Sequence, residues 1–233
     1  MNALGLSLRH LSFLGPNRNP ATIAFGPGLN VVYGASDTGK SFIVDAIDFM
    51  LGGRGPLRDI SQRVGYDRIL LAFVAAGGEL FTLLRSVDGG HFRLYEGLSP
   101  ATAPVGEGQE LSDQHSDRND DNLSAFMLGK IGLTQKRIRK NRQNETLSLC
   151  FRNLARLVII NEEEIIQRRS PLADGTYTND TLNMAVFKLL LTGVDDSALV
   201  SSKPSTPEEH SRDVQIELLD QLVAEAKQEE SED

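Results

Sequence analysis

The sequence contains a single cysteine, Cys150, among its 233 residues. One cysteine excludes an intramolecular disulfide framework and is typical of a protein in a reducing compartment. The N-terminal stretch MNALGLSLRHLSF lacks the long apolar run of a signal peptide, and no later segment approaches about 18 uninterrupted apolar residues. We therefore expect a cytoplasmic protein that does not use a membrane as a partner.

An excess of one charge sign is also missing from most of the chain. The net charge is −8, but residues 204–233 contain ten acidic and two basic side chains and account for all of it. The remaining body has 22 acidic and 22 basic residues. The body is therefore not repelled as a whole by nucleic acid, and the acidic C-terminal segment is a separate feature.

Apolar periodicity predicts an opening half that is rich in strands. Leu4, Leu6 and Leu8 alternate with small or polar residues, and turn signals follow at 15–17, 77–78 and 88–90. The further strands are predicted at 21–25, 68–78, 79–90 and 91–97. The compact run LNVVYG at 29–34 predicts a buried central strand. After it the spacing becomes helical up to Leu51, and Gly52-Gly53 ends the helix.

The second half predicts a polar surface loop followed by helices. Residues 1–200 are expected to form one lobe, with a polar loop at 99–122 and a helical part at 123–193. A Ser/Pro-rich linker at 201–207 leads to an acidic helix at 208–233. An a/d-like pattern within that helix predicts the start of a coiled coil, and a helix packed on its own body is the alternative. The pattern consists of Ile216, Leu219, Val223 and Ala226.

Residues 34–41, GASDTGKS, match the phosphate-loop pattern G-x-x-x-x-G-K-[ST] between an apolar run and an amphipathic helix. The glycines let backbone N–H groups point at phosphate oxygens, and the helix start adds its positive dipole end. Lys40 is placed to reach the β and γ phosphates, and the Ser41 hydroxyl is a Mg²⁺ ligand. The sequence therefore predicts ATP and Mg²⁺ as ligands. The predicted nucleotide-binding residues are Gly34, Ala35, Ser36, Asp37, Thr38, Gly39, Lys40, Ser41 and Phe42.

The longer string FGPGLNVVYGASDTGKSFIVDAIDFMLGG at 25–53 resembles the N-terminal half of an SMC-type ATPase head, in the ABC-like group that includes RecN and RecF-like proteins. Such heads have a Gly-Leu-Asn lead-in and a helix of the form S-x-x-x-D-A-I-x-x-x-L-G, which 28–30, 45–47 and 51–52 match. The resemblance implies an α/β P-loop NTPase fold, namely lobe I of an ABC/SMC head. Antiparallel strands would lie beside the nucleotide site, with a helical C-terminal part.

One position in the loop departs from this family. Most such heads have Asn-Gly where this chain has Ser36-Asp37. An acidic side chain beside the phosphates weakens anion binding unless it turns outward or caps the helix. This departure places the chain in a subgroup that the sequence does not define.

The resemblance also implies a Q-loop, whose glutamine reaches Mg²⁺ and the attacking water, within 154–172. Aligning the usual Q-G-E-I pattern puts Glu162 at that position, while the nearest glutamine is Gln167. These two are the candidate catalytic residues. A competing interpretation takes LVIINEEE at 157–164 as a Walker B strand, although Asn161 occupies the place of its aspartate. A third is an apolar helix with a solvated acidic end.

The second half of such a head brings an LSGGQ-like signature loop and a strand ending in Asp-Glu, and neither occurs in this sequence. We therefore expect a truncated or split head whose partner is a second head half or another copy of the head, with ATP held between the two. The expected setting is DNA repair or genome (anti-phage) defence. The alternatives are a self-contained small P-loop NTPase or kinase that uses Glu162 or Glu163, and a non-catalytic nucleotide-binding interaction module.

A basic segment lies at 130–142 and contains no acidic residue. On an SMC-like head such a segment can meet DNA phosphates, and the alternative is a solvated helix face. The candidate DNA contacts are Lys136, Arg137, Arg139 and Lys140.

Overall fold

The structure is a computed structural model that describes residues 5–36, 38–99, 102, 104–168, 170, 172–173 and 177–201, together with 212, 214–216, 218–219 and 222–223. The described chain forms two compact units. The first runs up to Thr134 and also includes Cys150–Asn161, and the second comprises Gln135–Leu149 and the residues from Glu162 onward. The predicted boundaries at 200 and 207 stay a prediction.

An antiparallel sheet forms the centre of the first unit. Its strands lie in the order β2-β1-β3-β4-β5-β6. Their bounds are β1 Leu6–Gly15, β2 Arg18–Ala24, β3 Arg68–Ala75, β4 Leu80–Ser86, β5 Gly89–Glu96 and β6 Gln109–Leu111. The helices of this unit are α1 Lys40–Met50, a 3-10 turn at Ser61–Arg63, α2 Leu123–Lys130 and α3 Phe151–Val158.

The core of the first unit lies around β3 and the inner face of α1. The run from Ile69 to Phe73 is completely buried, as expected of a strand covered on both faces. Helix α1 packs against β3 and buries the side chains at its helical spacing, namely Phe42, Ala46, Phe49 and Met50. The packing of α1 on the sheet therefore fixes the position of the N-terminus of α1, where the phosphate loop ends.

The second unit combines a β-hairpin with helices. Its elements are β7 Arg137–Arg139, β8 Thr146–Ser148, α4 Glu162–Ile165 and α5 Tyr177–Thr192. Helix α5 packs on β7, and the predicted stop at Gly193 is confirmed by its φ of 70°. The described residues between 212 and 223 are helical. Within the described part of the chain, no helix combines the length and apolar composition needed to span a membrane.

The strands predicted for the opening half are present, with one exception, although Leu4 lies outside the described residues. The turn predicted at 88–90 lies at 87–88, because Gly89 and Gly90 already belong to β5. The run 29–34 is not a strand, and Leu29 and Tyr33 are each 90% exposed. A central strand needs hydrogen-bonded neighbours on both sides, and no described strand pairs with this run. The prediction of a buried central strand is therefore wrong for the chain on its own.

The predicted polar loop and helical part are also corrected. Strand β6 lies inside 99–122 and pairs with β5. A hairpin replaces helix around 137–148, because Ile138 is fully buried between two more exposed arginines, which is strand periodicity. The Walker B interpretation of 157–164 is wrong, since this stretch ends α3 and begins α4. The linker at 202–207 and Ala226 lie outside the described residues.

Candidate functional site

The phosphate loop ends at a helix N-terminus that has no neutralising side chain among the described residues. Gly39 is the N-cap of α1, with φ 86° and ψ 16° and no side-chain hydrogen bond, and the first turn has no acidic residue. Glycine adopts this left-handed conformation without the steric cost that a Cβ would add. The first N–H groups of α1 therefore point outward at the positive end of the helix dipole, as an anion site requires.

The side chain of Lys40 lies folded over this loop. Its Nζ donates to the carbonyl of Ala35 and lies 3.5 Å from Oγ1 of Thr38. The Thr38 hydroxyl also donates to the Ala35 carbonyl, at 2.8 Å. The ammonium is thus held within the loop by neutral acceptors, which phosphate oxygens can replace.

The opposite end of α1 is fixed by an arginine that the sequence did not single out. Arg85 of β4 is 3% exposed, and its Nη1 donates to the carbonyls of Phe49 at 2.7 Å and Gly53 at 3.1 Å. Its guanidinium lies over the rings of Phe49 and Phe92, 4.1 Å and 4.4 Å from their centroids. Burial lowers the pKa of Arg85 from its usual value. A charged residue inside the apolar run LFTLLRS was the signal that could have revealed it.

A second arginine reaches the same helix end from α3. The Arg152 guanidinium forms two hydrogen bonds with the Asp48 carboxylate, Nη1 to Oδ1 at 2.5 Å and Nη2 to Oδ2 at 2.8 Å. A Cβ on Gly53 would lie 2.8 Å from Asp48 Oδ2, so the absence of a side chain there leaves room for this pair. Nothing in the sequence marks Arg152 and Asp48 as partners, because they are 104 residues apart.

The AAA_23 family (AAA domain) matches residues 10–232 of this chain, a range that includes the phosphate loop, α1 and all of the sheet except the first residues of β1. The chain belongs to the AAA_23 family of P-loop ATPases. AAA_23 domains are the N-terminal P-loop half of SMC-, RecF- and Rad50-like ATPases, so the resemblance seen in 25–53 is confirmed at that level. Membership implies nucleotide binding. A comparison with individually curated proteins gave no match.

The predicted binding residues of this AAA_23 domain fall into three groups. Gly34, Ala35, Ser36, Thr38 and Ser41 are exposed around the loop, and Gly39 and Lys40 are half-buried. Phe42 is 7% exposed, and its ring stacks on Phe13 with centroids 5.6 Å apart, so its side chain fixes the first turn of α1 to β1. Only its backbone remains available to a ligand. Asp37 lies outside the described residues.

The candidate catalytic residues lie in the second unit of the AAA_23 domain. Glu162 is the first residue of α4, Gln167 follows that helix, and both are exposed. The phosphate loop belongs to the first unit. The roles of Glu162 and Gln167 in hydrolysis therefore stay predictions.

The four candidate DNA contacts lie on or beside β7, and their side chains are half-buried. Arg137 donates to Oγ1 and the carbonyl of Thr146, at 2.9 Å and 2.8 Å, and Arg139 donates to the Asn141 carbonyl at 2.8 Å. Lys140 lies 3.8 Å from the carboxylate of Glu145. These bonds help to hold the hairpin, while DNA contact by these residues and by Lys136 stays a prediction.

Proposed function

We propose that this chain is the Mg²⁺-ATP-binding lobe of an SMC-like ATPase that acts in DNA repair or genome (anti-phage) defence, and that ATP drives the association of its heads. The family supports the ATPase assignment. The observation that carries the half-head proposal is the exposed apolar run Leu29–Tyr33, which leads directly into the phosphate loop. This run has no strand partner among the described residues.

The exposed run has the properties of an unfilled strand position. Leu29, Val31, Val32 and Tyr33 are all exposed, and contiguous exposed apolar side chains mark an interaction surface. The side chain of Asn30 bonds to Gly26 and Gly28 at 2.9–3.0 Å, so the chain entering the run is held in one conformation. A second head half, or another copy of the head, would supply the neighbouring strands and cover these side chains.

The residues of this chain suit triphosphate binding. The N–H groups at the start of α1 would hold phosphate oxygens, and Lys40 would exchange the Ala35 carbonyl for the β and γ phosphates. The exposed Ser41 hydroxyl lies on the first turn, where it would hold Mg²⁺ together with the nucleotide. The metal, when bound, neutralises charge on the phosphates. Water activation would come from the partner half, with Glu162 or Gln167 as the candidate contribution of this chain.

Calorimetric titration with Mg²⁺-ATP tests the binding function. Lys40→Ala removes a charge-assisted contact and is expected to cost about 2 kcal/mol, which weakens the Kd about thirtyfold. The control is Arg93→Ala, which removes an exposed cation from β5 and is expected to leave the Kd unchanged. Equal affinities for the wild-type and Lys40→Ala chains would contradict the assignment of the loop.

A further inference from the structure

The helix that follows the phosphate loop is tied at its far end to α3. Asp48 lies eight residues after Lys40, the first residue of α1, so a rise of about 12 Å along the helix separates the phosphate-binding N-terminus from Asp48 near the C-terminus. Arg152 holds that carboxylate with two hydrogen bonds, and its Nη1 also lies 3.4 Å from the Asp48 carbonyl. Arg152 thus joins α3 to α1 through both the carboxylate and the main-chain carbonyl of Asp48.

The Arg152–Asp48 pair fixes the relative orientation of its two side chains as well as the distance between them. A bidentate guanidinium–carboxylate contact keeps both planar groups in one orientation, which a lysine does not do. The side chains of Arg152 and Asp48 are 28% and 31% exposed, so water screens the pair only in part. The Asp48 carbonyl also accepts the N–H of Gly53 at 2.9 Å. Asp48 therefore accepts a hydrogen bond from the residues that follow α1 and also binds Arg152 of α3.

Helix α3 is held in place at its beginning and leads out of the first unit at its end. The Ser124 hydroxyl of α2 accepts the N–H of Phe151 at 2.8 Å, and Asn153 Oδ1 accepts the N–H of Cys150 at 3.0 Å. After α3 the first unit ends at Asn161. The Arg152–Asp48 pair therefore lies between the phosphate-binding helix and the segment by which the chain leaves that unit.

We propose that Arg152 is a positioning residue for nucleotide binding, which acts through Asp48 to fix the direction of α1 and which links occupancy of the phosphate loop to the packing of α3. The inference rests on the proposed nucleotide-binding function. Fixing α1 at its C-terminus fixes where its N-terminal N–H groups point. Because linkage is reciprocal, a bound nucleotide that holds α1 must in turn stabilise the attachment of α3.

Amide hydrogen exchange on the whole chain, with and without saturating Mg²⁺-ATP, measures this link. In the wild-type chain we expect ATP to slow exchange in the loop at 34–42 and, by about fivefold or more, in α3. Because saturating ATP fills the loop even where its affinity is reduced, Arg152→Leu and Asp48→Asn are each expected to keep the slowing at 34–42 and to lose it in α3. The double variant should resemble the single ones, because both remove the same contact.

A neighbouring ion pair on the same helix provides the matched control. Arg58 Nη2 lies 2.9 Å from Asp45 Oδ2, and this contact is more exposed and does not involve α3. Arg58→Gln is expected to leave the slowing in α3 at its wild-type value. Arg152→Lys keeps the charge without the bidentate geometry, so we expect it to restore only part of the effect.

Each outcome decides the inference. Slowing in α3 that is unchanged in Arg152→Leu, or absent from the wild-type chain while 34–42 is slowed, overturns it and leaves the proposed function standing. No slowing at 34–42 in the wild-type chain contradicts the proposed function and this inference together. Circular dichroism checks folding. If Arg152→Leu does not fold, the nearly isosteric Asp48→Asn decides, and loss of fold in every variant would show a purely structural role.

Discussion

Arg85 is a buried cation whose close partners are main-chain carbonyls and not a carboxylate. Arg85 donates to three carbonyls, those of Phe49, Gly53 and Gly90, while the nearest Asp113 oxygen is 3.9 Å away. Carbonyls at a helix C-terminus carry partial negative charge, so a guanidinium is stabilised there without a close carboxylate. Removing the Arg85 side chain should therefore lower the stability of the fold, because buried acceptors lose their donors.

Replacement of Arg85 by methionine is expected to lower the free energy of unfolding by about 3 kcal/mol, since two buried acceptors and one half-buried acceptor lose their donor. Chemical denaturation followed by circular dichroism measures the loss. Arg93→Met is the matched control, because Arg93 is exposed on the adjacent strand and its loss should change stability by less than about 0.5 kcal/mol. A similar stability for the two variants would contradict the anchoring role of Arg85.

His10 predicts a pH dependence of stability. It is 4% exposed, its Nε2 has no hydrogen-bond partner among the described residues, and burial lowers its pKa from the usual 6.5. The unfolded chain therefore takes up a proton at a pH where folded His10 stays neutral. Stability is fully present above about pH 6.5 and falls by up to about 1.4 kcal/mol per pH unit below it, until the folded pKa is reached.

Urea denaturation between about pH 8 and pH 5 checks this slope. The variant His10→Gln cannot titrate at this position, so its stability should fall less steeply with decreasing pH than that of the wild-type chain. The other histidines are present in both proteins, and their contributions cancel in the difference. Parallel curves for the two proteins would exclude His10 as the source.

At the scale of elements, the local apolar pattern was sufficient to predict a strand or helix wherever that element packs against other described elements. The apolar runs in 68–75 and 80–86 and the helical spacing after Lys40 predicted β3, β4 and α1, because these elements bury their apolar side chains within the first unit. The run 29–34 has the same apolar character, yet it is exposed. Its composition suits a strand, yet none of the described strands pairs with it, and the pattern alone could not show this.

The site was predictable only in its local part. The glycines, lysine and serine of 34–41 are close in sequence, and their spacing is that of a phosphate-binding loop. The anchors of α1 are distant in sequence and depend on tertiary contacts of Arg85 and Arg152 that no spacing reveals. The basic segment was expected within the helical part, whereas the burial of Ile138 between two arginines makes 137–139 a strand.

The hairpin now indicates which basic residues are informative to change. Arg137 and Arg139 make internal hydrogen bonds, so their replacement would disturb the hairpin as well as any DNA contact. If this surface binds DNA, Lys136→Ala/Lys140→Ala should weaken binding about tenfold at low salt and reduce the slope of log K against log salt by about two. Fluorescence anisotropy with a labelled duplex at several salt concentrations measures both quantities.

The control removes two cations from the first unit instead. Arg54 and Arg93 are exposed, and Arg54→Ala/Arg93→Ala changes the net charge by the same amount. This variant is expected to keep the wild-type affinity and salt dependence. If the two double variants behaved alike, the hairpin would not be the DNA-binding surface.

For the whole molecule, the half-head proposal separates the phosphate site from the residues that would activate water. The first unit contains the loop, α1 and its two arginine anchors, whereas the sequence contains neither an LSGGQ-like loop nor an apolar strand ending in Asp-Glu. A bound triphosphate would thus be held without a clear general base for the attacking water. The exposed run 29–33 lies next to the same loop, which places the expected joining surface and the nucleotide side by side along the chain.

We therefore expect the purified chain to bind Mg²⁺-ATP and to hydrolyse it at a rate far below about 1 s⁻¹, the lower end of ordinary enzymes. A second half that carries a signature loop and an Asp-Glu strand should raise this rate. Val31→Asp should abolish the stimulation and leave ATP binding by the chain alone unchanged, because it places a charge in the run that the partner would cover. Phosphate release assays on the chain, the mixture and the variant measure each rate. Rapid hydrolysis by the chain alone, or full stimulation of Val31→Asp, would contradict the half-head proposal.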